Sequence, residues 1–160
     1  MRKATFLFLF LFIALGFFHA SNNNISNKIN GVCFVAPPQR VSNEVMDPIV
    51  QIHANWVAIV PYGYMQPDKS PKVHFNASGQ YWGESVAGAK ETIVYAKSKG
   101  LNVMLKPHIW VVGQGWAGDL ELTTEEDWKL FEEGYQKYIL TFAEVAEEYD
   151  LPLLCIGTEF

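Results

Sequence analysis

Only two cysteines occur in the 160 residues, Cys33 and Cys155, and neither stands in a C-x-x-C pair or beside clustered histidines. A thiolate metal site is thereby excluded as an organising feature. Both thiols lie within apolar strand patterns and are expected to be buried as small apolar groups rather than joined. Basic residues are also few. Twelve Lys and Arg stand against seventeen Asp and Glu, for a formal charge of -5, and they form no stripe, so nucleic acid is not an expected partner. A glycine-rich phosphate cradle is missing where a dinucleotide-binding fold would carry one: Ala36-Pro37-Pro38-Gln39-Arg40 follows the first strand pattern instead. Internal repeats and low-complexity segments are absent. No apolar run reaches the roughly twenty residues that a spanning helix needs, since the longest, Ala4 to Phe18, is about fifteen.

That run follows Arg2 and Lys3, the charged head and apolar middle of a secretory signal peptide. Residues 1–20 are read as the signal, with Ala20 or the Ala14-Leu15-Gly16 step offering small residues for cleavage. Secretion or a periplasmic location follows, with no stable membrane association once the leader is removed. Residues 21–30, rich in Asn and Ser, form a polar linker, and residues 31–160 form the folded domain.

What the domain does have is an ordinary globular balance, 49% apolar and 18% charged, and four short apolar runs that each end in polar or ring-bearing residues. Gly31 to Ala36 runs into Pro37-Pro38, and Asn55 to Val60 runs into Pro61-Tyr62-Gly63-Tyr64. The third run, Leu101 to Trp110, carries Lys106-Pro107-His108, and Leu153 to Gly157 runs into Thr158-Glu159. Helical patterns lie between them. The first is short, with Val45, Ile49 and Ile52 on one face and Pro48 inside it. The second runs from about Glu84 to Ser98, and the third opens on a capping box at Thr123 and Glu126. Trp128, Phe131, Tyr135, Tyr138, Phe142, Val145 and Tyr149 recur at three and four along this last helix and are expected to pack the core. A long loop is expected from Pro61 to Trp82.

Strands alternating with helices predict a parallel sheet with helices outside. Chemistry gathered at four strand ends favours a (β/α)8 barrel over a doubly wound sheet. Four strands make the first half of such a barrel, and about 250 residues are usual for a whole one. The chain is therefore expected to be truncated after strand four.

Glu159 stands first among the candidate catalytic residues, because a carboxylate at the end of an apolar strand can deliver a proton into the bowl formed by the strand ends. Position alone leaves a structural ion pair open as its other role. His108, at the end of the third strand, could bind a ligand hydroxyl or tune that carboxylate; with Glu159 it makes only two metal ligands, and no metal or other cofactor is expected. Tyr62, Tyr64, Trp82, Trp110 and Trp116 lie at the same end, where flat rings suit the faces of sugars.

Asn55-Trp56-Val57 with Pro61-Tyr62-Gly63, then Lys106-Pro107-His108-Ile109-Trp110, then Ile156-Gly157-Thr158-Glu159 resemble successive strand ends of glycoside hydrolase family 113, β-mannanase-like barrels of a large clan of retaining glycosidases. The resemblance covers residues 31–160. It implies a (β/α)8 barrel that cleaves β-1,4-linked mannan-type polysaccharide, with Glu159 as acid/base; by their place at the strand ends, Tyr62, Tyr64, Trp82, Lys106, His108, Trp110, Trp116 and Thr158 are the residues expected to bind substrate. Thr158 departs from the Asn that many clan relatives carry before the glutamate. The second carboxylate of the retaining pair belongs to the end of a seventh strand, so these residues alone are expected to be inactive. A barrel that binds carbohydrate without cleaving it is the alternative.

Overall fold

Seven strands and three α-helices lie along the residues that the computed structural model describes, 28–67, 70–114 and 116–158. The signal segment, most of the polar linker and Glu159 lie outside the described residues. Strands β1 (Gly31–Val35), β2 (Trp56–Val60), β5 (Asn102–Leu105) and β7 (Leu153–Leu154) form one parallel sheet in the order β1-β2-β5-β7. Helices α1 (Asp47–Gln51), α2 (Val86–Ser98) and α3 (Glu125–Glu148) fall between successive strands of that sheet. The predicted α/β fold with a parallel sheet is the observed one.

The expected loop from Pro61 to Trp82 contains a hairpin. β3 (Tyr62–Gln66) and β4 (Ser70–His74) pair antiparallel, and β6 (His108–Val111) joins β3 in parallel, giving a second sheet in the order β4-β3-β6. Three prolines hid this from the sequence, yet Pro71 is tolerated because β4 is an edge strand. The run expected as one strand from residues 101 to 110 is broken into β5 and β6 at Lys106-Pro107. Its register is nonetheless continuous: Trp56 pairs with Asn102 in the first sheet and Tyr62 with His108 in the second, the same offset on both sides of the break. Pro61 thus faces Pro107. A proline forfeits a ladder donor, and the phenol of Tyr138 enters at that level.

Tyr138 is fully buried in α3. Its hydroxyl donates to the Pro61 carbonyl at 2.9 Å and accepts from the His108 amide at 3.1 Å. Burial pushes this phenol well above its ordinary pKa, which keeps the proton available for donation. Phe75 and Phe142 meet its ring edge-on at 5.1 and 5.2 Å. Gly63 is required beside it, since a Cβ there would lie 2.8 Å from Ile109 Cδ1 and 3.3 Å from the tyrosine ring.

The aromatic repeat of α3 packs as its spacing predicts: Phe131, Tyr138, Phe142 and Val145 are buried, and Trp128, Tyr135 and Tyr149 pack partly buried against them. Each such side chain contributes about 1.5–3 kcal/mol of apolar burial. The helix begins one residue later than expected. Thr124, with extended backbone, accepts from the Asp127 amide at 3.1 Å and meets its carboxylate at 2.7 Å, so the reciprocal cap is Thr124 with Asp127 rather than Thr123 with Glu126. Likewise α2 starts at Val86, where Ser85 accepts from the Gly88 amide, after a 3-10 turn at Trp82–Glu84. In the first helical segment a 3-10 turn (Asn43–Met46) precedes α1, with Pro48 in its opening turn. Met46 and Ile49 carry the buried face, and Ile52 is exposed.

The cysteines also differ from expectation. Cys33 is exposed and Cys155 half-buried, and both are free. Val57, Ile59, Val103 and Leu105 face the core with the helices, so alternation along each strand turns Cys33, Ala58 and Met104 to the opposite side. An open cavity of about 300 Å³ lies on that side, lined by Gly31, Cys33, Trp56, Ala58, Met104 and Leu153. The strand patterns resembled strands buried on both faces, and only one face is covered among the described residues. None of their helices is long and apolar enough to cross a membrane.

Candidate active site

The second sheet extends β2 and β5 past their proline pair, and strict alternation gives it two unlike faces. Gly63, Met65, Ile109, Val111 and Val73 are buried on one. Tyr62, Tyr64, His108, Trp110 and His74 take the other. The register makes rows of these residues: Tyr62 lies opposite His108, and Tyr64 lies between Trp110 on β6 and His74 on β4. Cross-strand neighbours of this kind stand about 5 Å apart, so the rings form a strip running across three strands.

Tyr62 touches two other rings of the strip edge-on. Tyr62 meets His108 with centroids 5.2 Å apart and Trp110 at 6.4 Å. Trp110 is 55% exposed, so its ring is not packed among the helices. Trp116 is 53% exposed. Its ring lies against Gly118, where a Cβ would come within 2.6 Å of two ring carbons, so glycine is what lets the indole settle there.

Thr158 reaches this group from the far end of the chain. Cys155 donates its amide to the Leu105 carbonyl at 2.8 Å, and the Tyr135 hydroxyl donates to the Ile156 carbonyl at 2.9 Å, which steers the segment after β7 along β5 and α3. The Thr158 hydroxyl ends 2.5 Å from His108 Nδ1. When that hydroxyl donates, the ring holds its proton on Nε2 and can itself donate to a ligand oxygen. The residue that departs from the clan pattern therefore orients the histidine.

The remaining candidates divide. The Tyr64 hydroxyl donates to Glu84 Oε2 at 2.5 Å, and burial together with that carboxylate raises the phenol above its ordinary pKa. Glu84, itself buried, is a partner that helical patterning did not single out as part of the site. Gln80 supports the same corner, donating to the Tyr62 carbonyl at 2.6 Å. Lys106 sits half-buried between β5 and β6, its amide on the Ile59 carbonyl at 2.8 Å. Trp82 is drawn into another cluster: its indole N–H donates to Glu91 at 3.1 Å, and the Arg40 guanidinium lies 5.6 Å from its ring centre while binding the same carboxylate. Nothing in the local sequence announces that association, which joins residues far apart in the chain. Among the described residues no three His, Cys, Asp or Glu side chains gather as metal ligands.

Comparison with known proteins bears on this arrangement. Residues 38–160 match the model of Glycoside Hydrolase Family 113. A β-mannanase of that family from Alicyclobacillus acidocaldarius, solved in complex with ManMIm, superposes with a TM-score of 0.67 at 20% identity, over 81% of this chain and 44% of its own. Two further structures, a family 113 β-1,4-mannanase and a complex of one, give TM-scores of 0.64 and 0.63 at 22% identity. They match 81% and 82% of this chain and 45% of theirs. No curated protein matches. At these identities the likeness establishes the shared fold, a partial (β/α)8 barrel, and this chain spans less than half the length of the structures it resembles.

Proposed function

The chain belongs to glycoside hydrolase family 113, and from that membership we propose that the whole protein is an exported hydrolase of β-1,4-linked mannan-type polysaccharide that works by a retaining two-carboxylate mechanism. The observation that carries this reading is the strip Tyr62, His108, Trp110, with Thr158, which precedes Glu159 in the sequence, on the histidine. Glu159 donates its proton to the departing glycosidic oxygen while a second carboxylate attacks the anomeric carbon; the resulting carboxylate of Glu159 then takes a proton from water as that water releases the sugar. Such a pair stands about 5 Å apart in retaining enzymes. The resemblance puts the partner at the end of a seventh barrel strand. The leader sequence supports export, and the exposed indoles support a carbohydrate ligand.

Reducing-sugar release from β-1,4-mannan by the whole protein tests the reading, and absence of turnover would remove it. The 160 residues expressed alone are expected to show no turnover, and to elute as dimers or larger species in size-exclusion chromatography with light scattering. Their β1 and β7 edges are unpaired among the described residues, and the face bearing the exposed Cys33 opens on a cavity; association would cover both. A monomer with mannanase turnover would contradict both halves. Trp110→Ala in the whole protein should weaken mannotetraose binding about tenfold, the loss of one ring contact, while changing stability by about 0.5 kcal/mol or less, as at other exposed sites. A stability loss of several kcal/mol would instead assign the ring to packing.

A further inference from the structure

On the β4 side of the strip lies an open cavity of about 400 Å³, walled by Tyr64 and His74 of the strip and by the turn 77–81. That volume is within the roughly 300–1,000 Å³ usual for small-molecule sites. Its walls are mostly apolar. Tyr81 is 52% exposed, so its ring is open to a ligand, and His74 and Ser78, both exposed, add an imidazole and a hydroxyl. This combination suits a sugar, whose ring faces are apolar and whose rim carries hydroxyls. The walls are also fixed in advance. Tyr64 is held by Glu84, and Gln80 ties the turn down, donating to the Tyr62 carbonyl at 2.6 Å and accepting from the Ala77 amide at 3.2 Å. Asn76, just before the turn, accepts from the Val86 amide of α2 at 3.3 Å. Walls that need no ordering lower the cost of binding.

We infer that this cavity is an outer subsite for a sugar unit of the same polysaccharide chain that crosses the strip, with Tyr81 as the stacking ring. The inference rests on the carbohydrate reading above and extends it. Register favours that occupant over a separate small ligand. Trp110, Tyr64 and His74 lie side by side on β6, β3 and β4, and two strand spacings place His74 about 10 Å across the sheet from Trp110. Thr158 meets the strip at β6, through His108. A chain that stacks on Trp110 therefore reaches the cavity only by extending across β3, away from the acid/base end, and the subsite serves long chains rather than short ones.

The test is calorimetric titration of the whole protein with mannohexaose and with mannobiose, comparing Tyr81 with Tyr81→Ala and Tyr81→Phe, all carrying Glu159→Gln to suppress turnover. The protein with Tyr81 should bind mannohexaose more tightly than mannobiose. Tyr81→Ala should reduce mannohexaose affinity about fivefold, the scale of one ring contact, and leave mannobiose affinity unchanged, which also shows that the variant is folded. Tyr81→Phe, which keeps the ring, should retain the mannohexaose affinity. Unchanged mannohexaose binding in Tyr81→Ala, an equal loss for both oligosaccharides, or an equal loss in Tyr81→Phe overturns the subsite and leaves the carbohydrate reading standing. Binding of neither oligosaccharide by the protein with Tyr81 overturns both.

Discussion

Tyr138→Ala is expected to cost about 3–5 kcal/mol of folding stability, the range for emptying a large aromatic site in a core. The side chain is fully buried, its ring packs between Phe75 and Phe142, and its hydroxyl joins the Pro61 carbonyl to the His108 amide. Tyr138→Phe separates the two contributions. The ring contacts remain, and the His108 amide keeps the Pro61 carbonyl at 3.0 Å, so the cost should fall to about 1–2 kcal/mol, that of a lost buried hydrogen bond. Urea unfolding of the whole protein and the two variants reads this directly. Equal losses for Ala and Phe would mean that the hydroxyl alone carries the site, and losses below about 0.5 kcal/mol for both would mean that the joint between the sheets does not depend on it.

The joint explains why the sequence was easier to read along its strands than across them. Apolar runs ending in Tyr62, His108 and Thr158 pointed to residues that the structure brings together, because periodicity and its interruption are local properties. The hairpin was not legible in the same way. Tyr62-Gly63-Tyr64-Met65-Gln66 does alternate, but prolines before and after it read as loop signals, and only pairing with the distant β6 shows that Pro61 and Pro107 face one another. Tyr138 was assigned to the core by its helical spacing, correctly; that its hydroxyl also bridges two strand ends depends on tertiary approach. Trp82 shows the converse: a ring near a strand end suggested a ligand contact, and its contacts with Arg40 and Glu91 could not be read locally. Cys33 shows a third limit, because an apolar strand pattern does not reveal whether both faces are covered.

The larger effect is expected at Glu159. A glutamine there keeps the size of the side chain and removes its ability to give up a proton, so it cannot protonate the departing oxygen or afterwards activate water. General acid–base catalysis of this kind is worth about 10²–10⁴ in rate, and the loss should fall on kcat, with mannotetraose binding retained, because the stacking rings and His108 are untouched. Thr158→Ala offers a milder companion: removing the hydroxyl on His108 Nδ1 should disturb how the ring is held without removing the proton donor. The decisive comparison is therefore the initial rate of β-1,4-mannan hydrolysis by the whole protein with Glu159 and with Glu159→Gln. The account predicts a fall in kcat of at least about a hundredfold with folding and oligosaccharide binding intact, whereas unchanged turnover would contradict the assignment of Glu159 as the acid/base residue.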